Sequence, residues 1–349
     1  MGETVFAQLP QALLPWYARC ARDLPWRQDR EPYHVWLSEV MLQQTRVEAV
    51  KRYYERFIKE LPTVGDLARC PDSSLEKLWE GLGYYSRMRN LKKAAQVIQE
   101  QYQGRFPNTY GEIRALPGVG DYTAGAVCSI AFDLPTPAVD GNVMRVVSRL
   151  TQSPDPIDMP AARERVRREL AEVYPPQAGA FTQALMELGA TLCGPSRAAD
   201  CPACPCRAFC AAAIHDSADL YPVRSPKKEK RRESRTVLIM RREDGAYALV
   251  RRPDRGLLAG MWQFPDTEGT LEPQQAAQMA RRLGLKVHNI FRQTEKKHIF
   301  THIVWQMRGF YLEVEGQGSD LHWLSAQQID AEAGLPTAYR QFWEEIHHV

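Results

Sequence analysis

Nowhere in the 349 residues is there an apolar run long enough to cross a membrane. The N-terminal MGETVFAQLPQALLPW has no basic cluster ahead of its apolar residues, which argues against a secretory signal. Neither sign of charge dominates: 45 Lys and Arg against 42 Asp and Glu leave a formal net charge of +3, too small to name a partner. No stretch repeats itself, so a solenoid or propeller is excluded. These absences make a cytoplasmic protein the expectation, and in that compartment cysteines are not expected in disulfides. What is there suits a globular protein: 44% hydrophobic and 25% charged residues. At roughly 150 residues per domain, the length allows two or three domains.

Residues 33–221 read as mostly helical. YHVWLSEVMLQQTRVEAVKRYYERFIKEL has apolar residues at 36, 40, 47, 50, 54, 57 and 61, a helical spacing, with Leu42, Gln43 and Gln44 on the turn after Glu39. SSLEKLWEGL, SRMRNLKKAAQVIQEQY, DYTAGAVCSIAF, GNVMRVVSRLT, MPAARERVRRELAEVY and AGAFTQALMELGATLC continue it, with Pro and Gly punctuating the gaps. The texture changes near Tyr221. Pro222–Arg235 holds seven Lys or Arg against two Glu and reads as a solvated linker, serving solubility or contact with DNA phosphates. Strand-like runs follow: RTVLIMRR, YALVRRP and HIVWQMRGFYLEV, interrupted by one helix, PQQAAQMARRLGL. The expected organisation is a helical domain over 1–221, a linker over 222–235 and an α+β domain over 236–349.

Five of the eight cysteines fall at 193, 201, 204, 206 and 210. Cys201-x2-Cys204 lets two thiolates grip one centre, Cys210 closes the loop and Cys193 supplies a fourth. Four thiolates suit either tetrahedral zinc or an iron–sulfur cluster. Cys206 has no evident task. Arg197 and Arg207 lie close in sequence, so the loop can shape a basic surface for DNA without redox chemistry. LPGVGDYTAGAV places Gly118 and Gly120 at the start of a helix, where free amides bind anions and a phosphate can approach the backbone. The small residues that follow allow close helix packing. This is the layout of a helix-hairpin-helix over about 112–127, which holds DNA backbone without reading sequence.

Together LPWR (24–27), VWLSEVMLQQT (35–45), GLGYYSR (81–87), LPGVG (116–120), VDGNVMRV (139–146) and the cysteine loop resemble one family: the MutY adenine DNA glycosylases, helix-hairpin-helix relatives of endonuclease III. The resemblance spans nearly all of residues 24–210, and more loosely a C-terminal Nudix-like domain. It implies a multidomain fold: an all-α glycosylase core with an iron–sulfur loop, then an α+β domain. It implies a monomer acting on duplex DNA carrying adenine opposite 8-oxoguanine or guanine, and a 4Fe–4S cluster on Cys193, Cys201, Cys204 and Cys210. One departure stands out: the family's first cysteine spacing encloses six residues, and Cys193 and Cys201 enclose seven.

Glu39 is the acid among apolar neighbours. On its own fragment it suits a buried carboxylate paired with an Arg; the full motif makes it the family's catalytic acid, protonated by burial. Asp140 suits a helix N-cap, a position that favours its charged form, and matches the carboxylate that stabilises the sugar cation. The two pKa values are expected to be pushed apart. Asn142 orients polar groups beside it. Tyr122 stands where lyase relatives carry a Lys, and it resembles the tyrosine that contacts the catalytic Asp. No Lys occurs anywhere in 94–226, so a Schiff base is not expected.

The same comparison puts Arg27 in the base pocket, Gln44 in the space beside the lesion with the adenine flipped out, Leu42 and Gln43 on the same turn as further DNA contacts, and Tyr84 as a wedge in the stack. Phe300, Thr301 and His302 match the loop that checks 8-oxoguanine, with Thr in place of Ser. His298 with His302 as zinc ligands is the weaker alternative. The Nudix carboxylate run is missing from AAQMARRLGL, so hydrolysis is not expected there. Two rivals remain: a glycosylase for another mispaired base on this scaffold, and a non-catalytic iron–sulfur DNA-binding protein.

Overall fold

The computed structural model describes residues 5–195, 199–226, 229–253 and 255–347. Contacts divide the chain into two compact units: Met1–Arg69 with Arg89–Lys227, and Cys70–Met88 with Lys228–Val349. The helices before the sheet are α1 (Leu9–Cys20), α2 (Pro32–Leu42), α3 (Val47–Glu60), α4 (Val64–Arg69), α5 (Asp72–Trp79), α6 (Ser86–Gln101), α7 (Tyr110–Ala115), α8 (Asp121–Phe132), α9 (Gly141–Thr151), α10 (Pro160–Ala171), α11 (Ala178–Thr191) and α12 (Ala211–Ile214). All but α5 and the first turn of α6 belong to the first unit. Among the described residues, no helix is long and apolar enough to cross a membrane.

The stretch from Tyr33 to Leu61 folds as two helices, α2 and α3. It breaks between Leu42 and Val47, where Gln44 takes a left-handed φ of 59°. A non-glycine residue there costs about 1 kcal/mol, which local spacing cannot signal. Periodicity survives the break because both halves bury faces of the same core. The α7–α8 pair forms the expected hairpin. Gly118 has φ 75°, and a Cβ on it would lie 2.5 Å from the Asn90 Cβ, so only glycine fits the turn. Gly125 lets α8 approach another backbone: a Cβ there would sit 2.3 Å from the Pro137 carbonyl oxygen.

The second unit holds α5 and a mixed sheet made of β1 (Arg231–Arg242), β2 (Tyr247–Arg251), β3 (Trp262–Gln263), β4 (Asp266–Glu268), β5 (Lys286–Ile299), β6 (Ile303–Glu315) and β7 (His322–Leu324). Its main path runs β3-β2-β1-β6-β5, with β1 parallel to β6. Helices α13 (Pro273–Arg282), α14 (Ala326–Glu332) and α15 (Thr337–His347) complete it. Alternation along β1 serves both faces. Val237 and Ile239 pack with Phe342 and Trp343 of α15; Leu238 and Met240 pack with Ala276 and Ala280 of α13. A central strand covered on both sides reads as a continuous apolar run, which is how VLIM appears.

Three expectations need correction. β1 begins at Arg231, inside the charge-rich stretch, because residues 231–235 pair in register with Ile303–Met307 and Arg235 is neutralised by Asp266 at 2.6 Å. β5 was not expected from sequence: its outward positions are charged, and none of its residues is fully buried. The sheet is accompanied by three helices, not one.

Candidate active site

Glu39 lies in the third turn of α2, on a helix whose residues from Val35 to Met41 are all buried. It is 6% exposed. Burial pushes its carboxyl up to about 7, against the lowering effect of a hydrogen bond from Tyr122. That bond runs from the Tyr122 hydroxyl to Oε2 at 2.5 Å. The resemblance had implied that Tyr122 contacts Asp140. The phenol instead donates to Glu39, and burial beside both carboxylates pushes its own pKa well up.

Asp140 caps α9 as expected. Its Oδ1 accepts the Val143 amide at 2.7 Å and its Oδ2 accepts Asn142 Nδ2 at 2.8 Å. The expected divergence of the two acids takes a different form, since burial also raises the Asp140 pKa. What separates them is that Asp140 has amide donors favouring its charged form, whereas Glu39 receives only a phenol.

Both acids line one cavity of about 630 Å³ together with Tyr122, Asn142, Arg27, Leu42, Gln43 and Gln44. Eight of the expected site residues therefore surround a single space. Gln43 Nε2 reaches Thr123 Oγ1 at 3.3 Å, and the left-handed Gln44 turns at the wall. Gly118 and Gly120 stand in the α7–α8 turn of the same unit.

Sequence reasoning missed Glu187. Its side chain on α11 is fully buried and accepts Arg22 Nε at 2.6 Å and Arg27 Nη2 at 2.8 Å. Burial alone would raise its pKa, but the two guanidiniums outweigh that and hold it below the ordinary range. Arg27 also lies over the Tyr17 ring, at 5.6 Å. Thus Glu187 fixes the cation at the cavity wall. A glutamate inside AGAFTQALMELGATLC was the available signal, although its partners lie far away in sequence. Glu187→Ala leaves two guanidiniums facing each other, and a loss of about 3 kcal/mol in urea unfolding is expected. A variant as stable as the parent would contradict this.

Cys193, Cys201, Cys204, Cys206 and Cys210 line one further cavity, walled by Val146, Leu150 and Leu188. Arg149 Nη1 donates to Cys193 Sγ at 3.2 Å. Cys206 is 1% exposed and packs into the helical core, while its thiol donates to Cys204 and lowers the pKa of that thiol. Thiol-rich walls and a guanidinium N–H on sulfur suit a thiolate-held metal centre. Arg145 connects this region to the acids: Nε donates to the Cys193 carbonyl and Nη2 to Asn142 Oδ1, both at 2.9 Å.

In the second unit, Phe300, Thr301 and His302 form the tip of the β5–β6 hairpin. Phe300 packs inward on Trp305 at 4.9 Å, leaving Thr301 and His302 exposed. Tyr84 belongs to the same unit, and its hydroxyl lies 3.3 Å from Thr301 Oγ1. His298 packs on Phe300 at 4.5 Å, and burial lowers its pKa. Helix α13 carries no carboxylate within its bounds.

A family model for the HhH-GPD superfamily base excision DNA repair proteins matches residues 37–176, and one for the NUDIX domain matches 236–345. The helical hairpin unit with two carboxylates facing one cavity defines the class: a helix-hairpin-helix DNA glycosylase, a hydrolase of DNA repair. The solved structure of a thermostable thymine-DNA glycosylase is similar, with 28% identity and a TM-score of 0.55, covering 60% of this chain and 97% of that one. A trapped endonuclease III–DNA covalent intermediate matches at 25% identity and a TM-score of 0.50, covering 60% and 98%. The chain belongs to the MutY family of adenine DNA glycosylases. It is 36% identical to the adenine DNA glycosylase of Rattus norvegicus, covering 96% of this chain and 74% of that protein.

Proposed function

We propose that this protein hydrolyses the N-glycosidic bond of adenine mispaired with 8-oxoguanine or guanine in duplex DNA, as a monofunctional enzyme of base excision repair. The observation that carries this reading is Glu39: a buried carboxyl with a pKa of about 7, sharing one cavity with Asp140. Neutral adenine leaves poorly, so the base must take a proton. Glu39 delivers it to a ring nitrogen of the flipped adenine. The C1′–N9 electrons then depart with the base. Asp140, whose amide donors favour its charged form against burial, faces the cationic sugar. Water adds to C1′ and gives up a proton to the Glu39 carboxylate, which restores the acid and leaves an abasic site. Tyr122 holds the Glu39 carboxyl in place and Arg27 walls the base pocket. Gln44, with Leu42 and Gln43, fills the gap beside the lesion. Tyr84, Thr301 and His302 meet the opposite base, and Gly118 and Gly120 hold a phosphate.

Thymine is the second candidate base, favoured by the likeness to a thymine-DNA glycosylase. Chromatography of bases released from duplexes carrying each mispair decides between them. Adenine with an intact strand is expected. Thymine release or direct strand cleavage would overturn the reading.

We propose that Cys193, Cys201, Cys204 and Cys210, which line one cavity, would hold a 4Fe–4S cluster. These four thiolates would hold such a group between the end of α11 and the 201–210 loop, in a structural role with no redox part in the hydrolysis. The purified protein should show the broad visible absorption of thiolate-bound iron. Cys210→Ser should lose iron, whereas Cys206→Ser should keep it because that thiol packs into the core. Active protein containing zinc alone would contradict the assignment.

A further inference from the structure

The segment Cys70–Met88 lies within the helical family match, yet its contacts place it in one unit with the sheet. Polar ties account for this. The Glu76 side chain, 10% exposed, accepts Arg251 Nη1 at 3.0 Å on Oε2 and 3.1 Å on Oε1. Arg251 is held in turn by the Gly260 carbonyl at 2.8 Å and by the Trp262 face at 4.1 Å. Glu80, 14% exposed, accepts from Arg340 of α15 and from Lys77 at 2.6 Å. Lys77 also donates to the Asp330 carbonyl of α14.

The turn that follows is set by its backbone: Gly81, Gly83 and Tyr84 all have positive φ. It leaves the Tyr84 ring 46% exposed, with Arg87 at 5.5 Å from it. The free end of that ring meets Thr301 at the hairpin tip.

We propose that Glu76, Lys77 and Glu80 are positioning residues that dock the Tyr84 turn onto the sheet, making Tyr84 and Thr301 one composite contact for the base opposite the adenine. This rests on the reading under Proposed function. Ion pairs whose carboxylates are nearly buried fix orientation more than they add stability. A docked turn has already lost the freedom that a loose one must lose on meeting DNA, so the docking should appear as selectivity for the opposite base.

The test uses full-length protein with Arg251→Met and Arg340→Met, singly and together, and Arg340→Lys as the conservative variant. Amide hydrogen exchange over residues 72–84 reads docking without any DNA. It should quicken about tenfold or more in the double variant and stay near the parent value in Arg340→Lys. Single-turnover adenine release should fall about tenfold opposite 8-oxoguanine and stay within about twofold opposite guanine. Unchanged exchange would overturn the docking. Faster exchange with unchanged selectivity would overturn its link to base reading. A parent enzyme without any preference for 8-oxoguanine would sink the functional reading and the composite contact together, while the exchange result still decides the docking.

Discussion

Glu39→Gln should bind mispaired duplex DNA normally and release almost no adenine, losing at least the roughly 10²–10⁴-fold that general acid catalysis supplies. Gln keeps the shape and can still accept the Tyr122 hydroxyl, but it has no proton to give at neutral pH. The same substitution should make the protein more stable, which separates catalysis from folding. Burial pushes the Glu39 carboxyl up to about 7 in the folded protein, from an ordinary value of 4.5. A carboxyl raised on folding contributes stability that is fully present below its unfolded pKa and lost as pH rises through the folded value. Between about pH 4.5 and 7 the parent should therefore lose up to about 3 kcal/mol that the Gln variant keeps. Urea unfolding at pH 5 and pH 8 reads the difference directly. A Gln variant that is less stable than the parent at pH 8 would mean that the carboxylate is held by an ion pair.

Asp140→Asn is the second large effect. Asparagine caps a helix as well as aspartate, and its side-chain oxygen can still accept the Val143 amide. Stability should change by under about 1 kcal/mol. Catalysis should fall by about 10²–10³, because a neutral amide cannot offset the charge on the sugar. A circular dichroism melt alongside single-turnover release separates these outcomes. Near-normal release would reduce Asp140 to its capping role.

The site was legible where its signals are local. An acid among apolar residues on a helix face implies burial, and burial implies a raised pKa; Glu39 behaves so. A carboxylate followed by Gly-Asn and an apolar helix implies a cap, and Asp140 is one. Gly118 was legible because a turn needs its φ. What the sequence did not reveal depends on partners distant along the chain. Glu187 is an ion-pair hub only because Arg22 and Arg27 arrive from 160 or more residues away. The Tyr122 hydroxyl chooses Glu39 over Asp140 through the packing of α8 on α2, which no local pattern encodes. Strand β5 hides because its outward charges mask its alternation, and its pairing with β6 creates it. The attachment of residues 70–88 to the sheet rests on ion pairs to Arg251 and Arg340, more than 170 residues on.

We propose that Glu39 acts as the proton donor because its burial keeps the carboxyl protonated up to about pH 7. Single-turnover adenine release from an adenine:8-oxoguanine duplex, followed from about pH 5 to 9 with saturating enzyme, tests it most directly. The rate should be level in acid, bend near pH 7 and fall about tenfold per unit above it as the proton is lost. A rate that stays flat or rises through pH 9 would contradict the account.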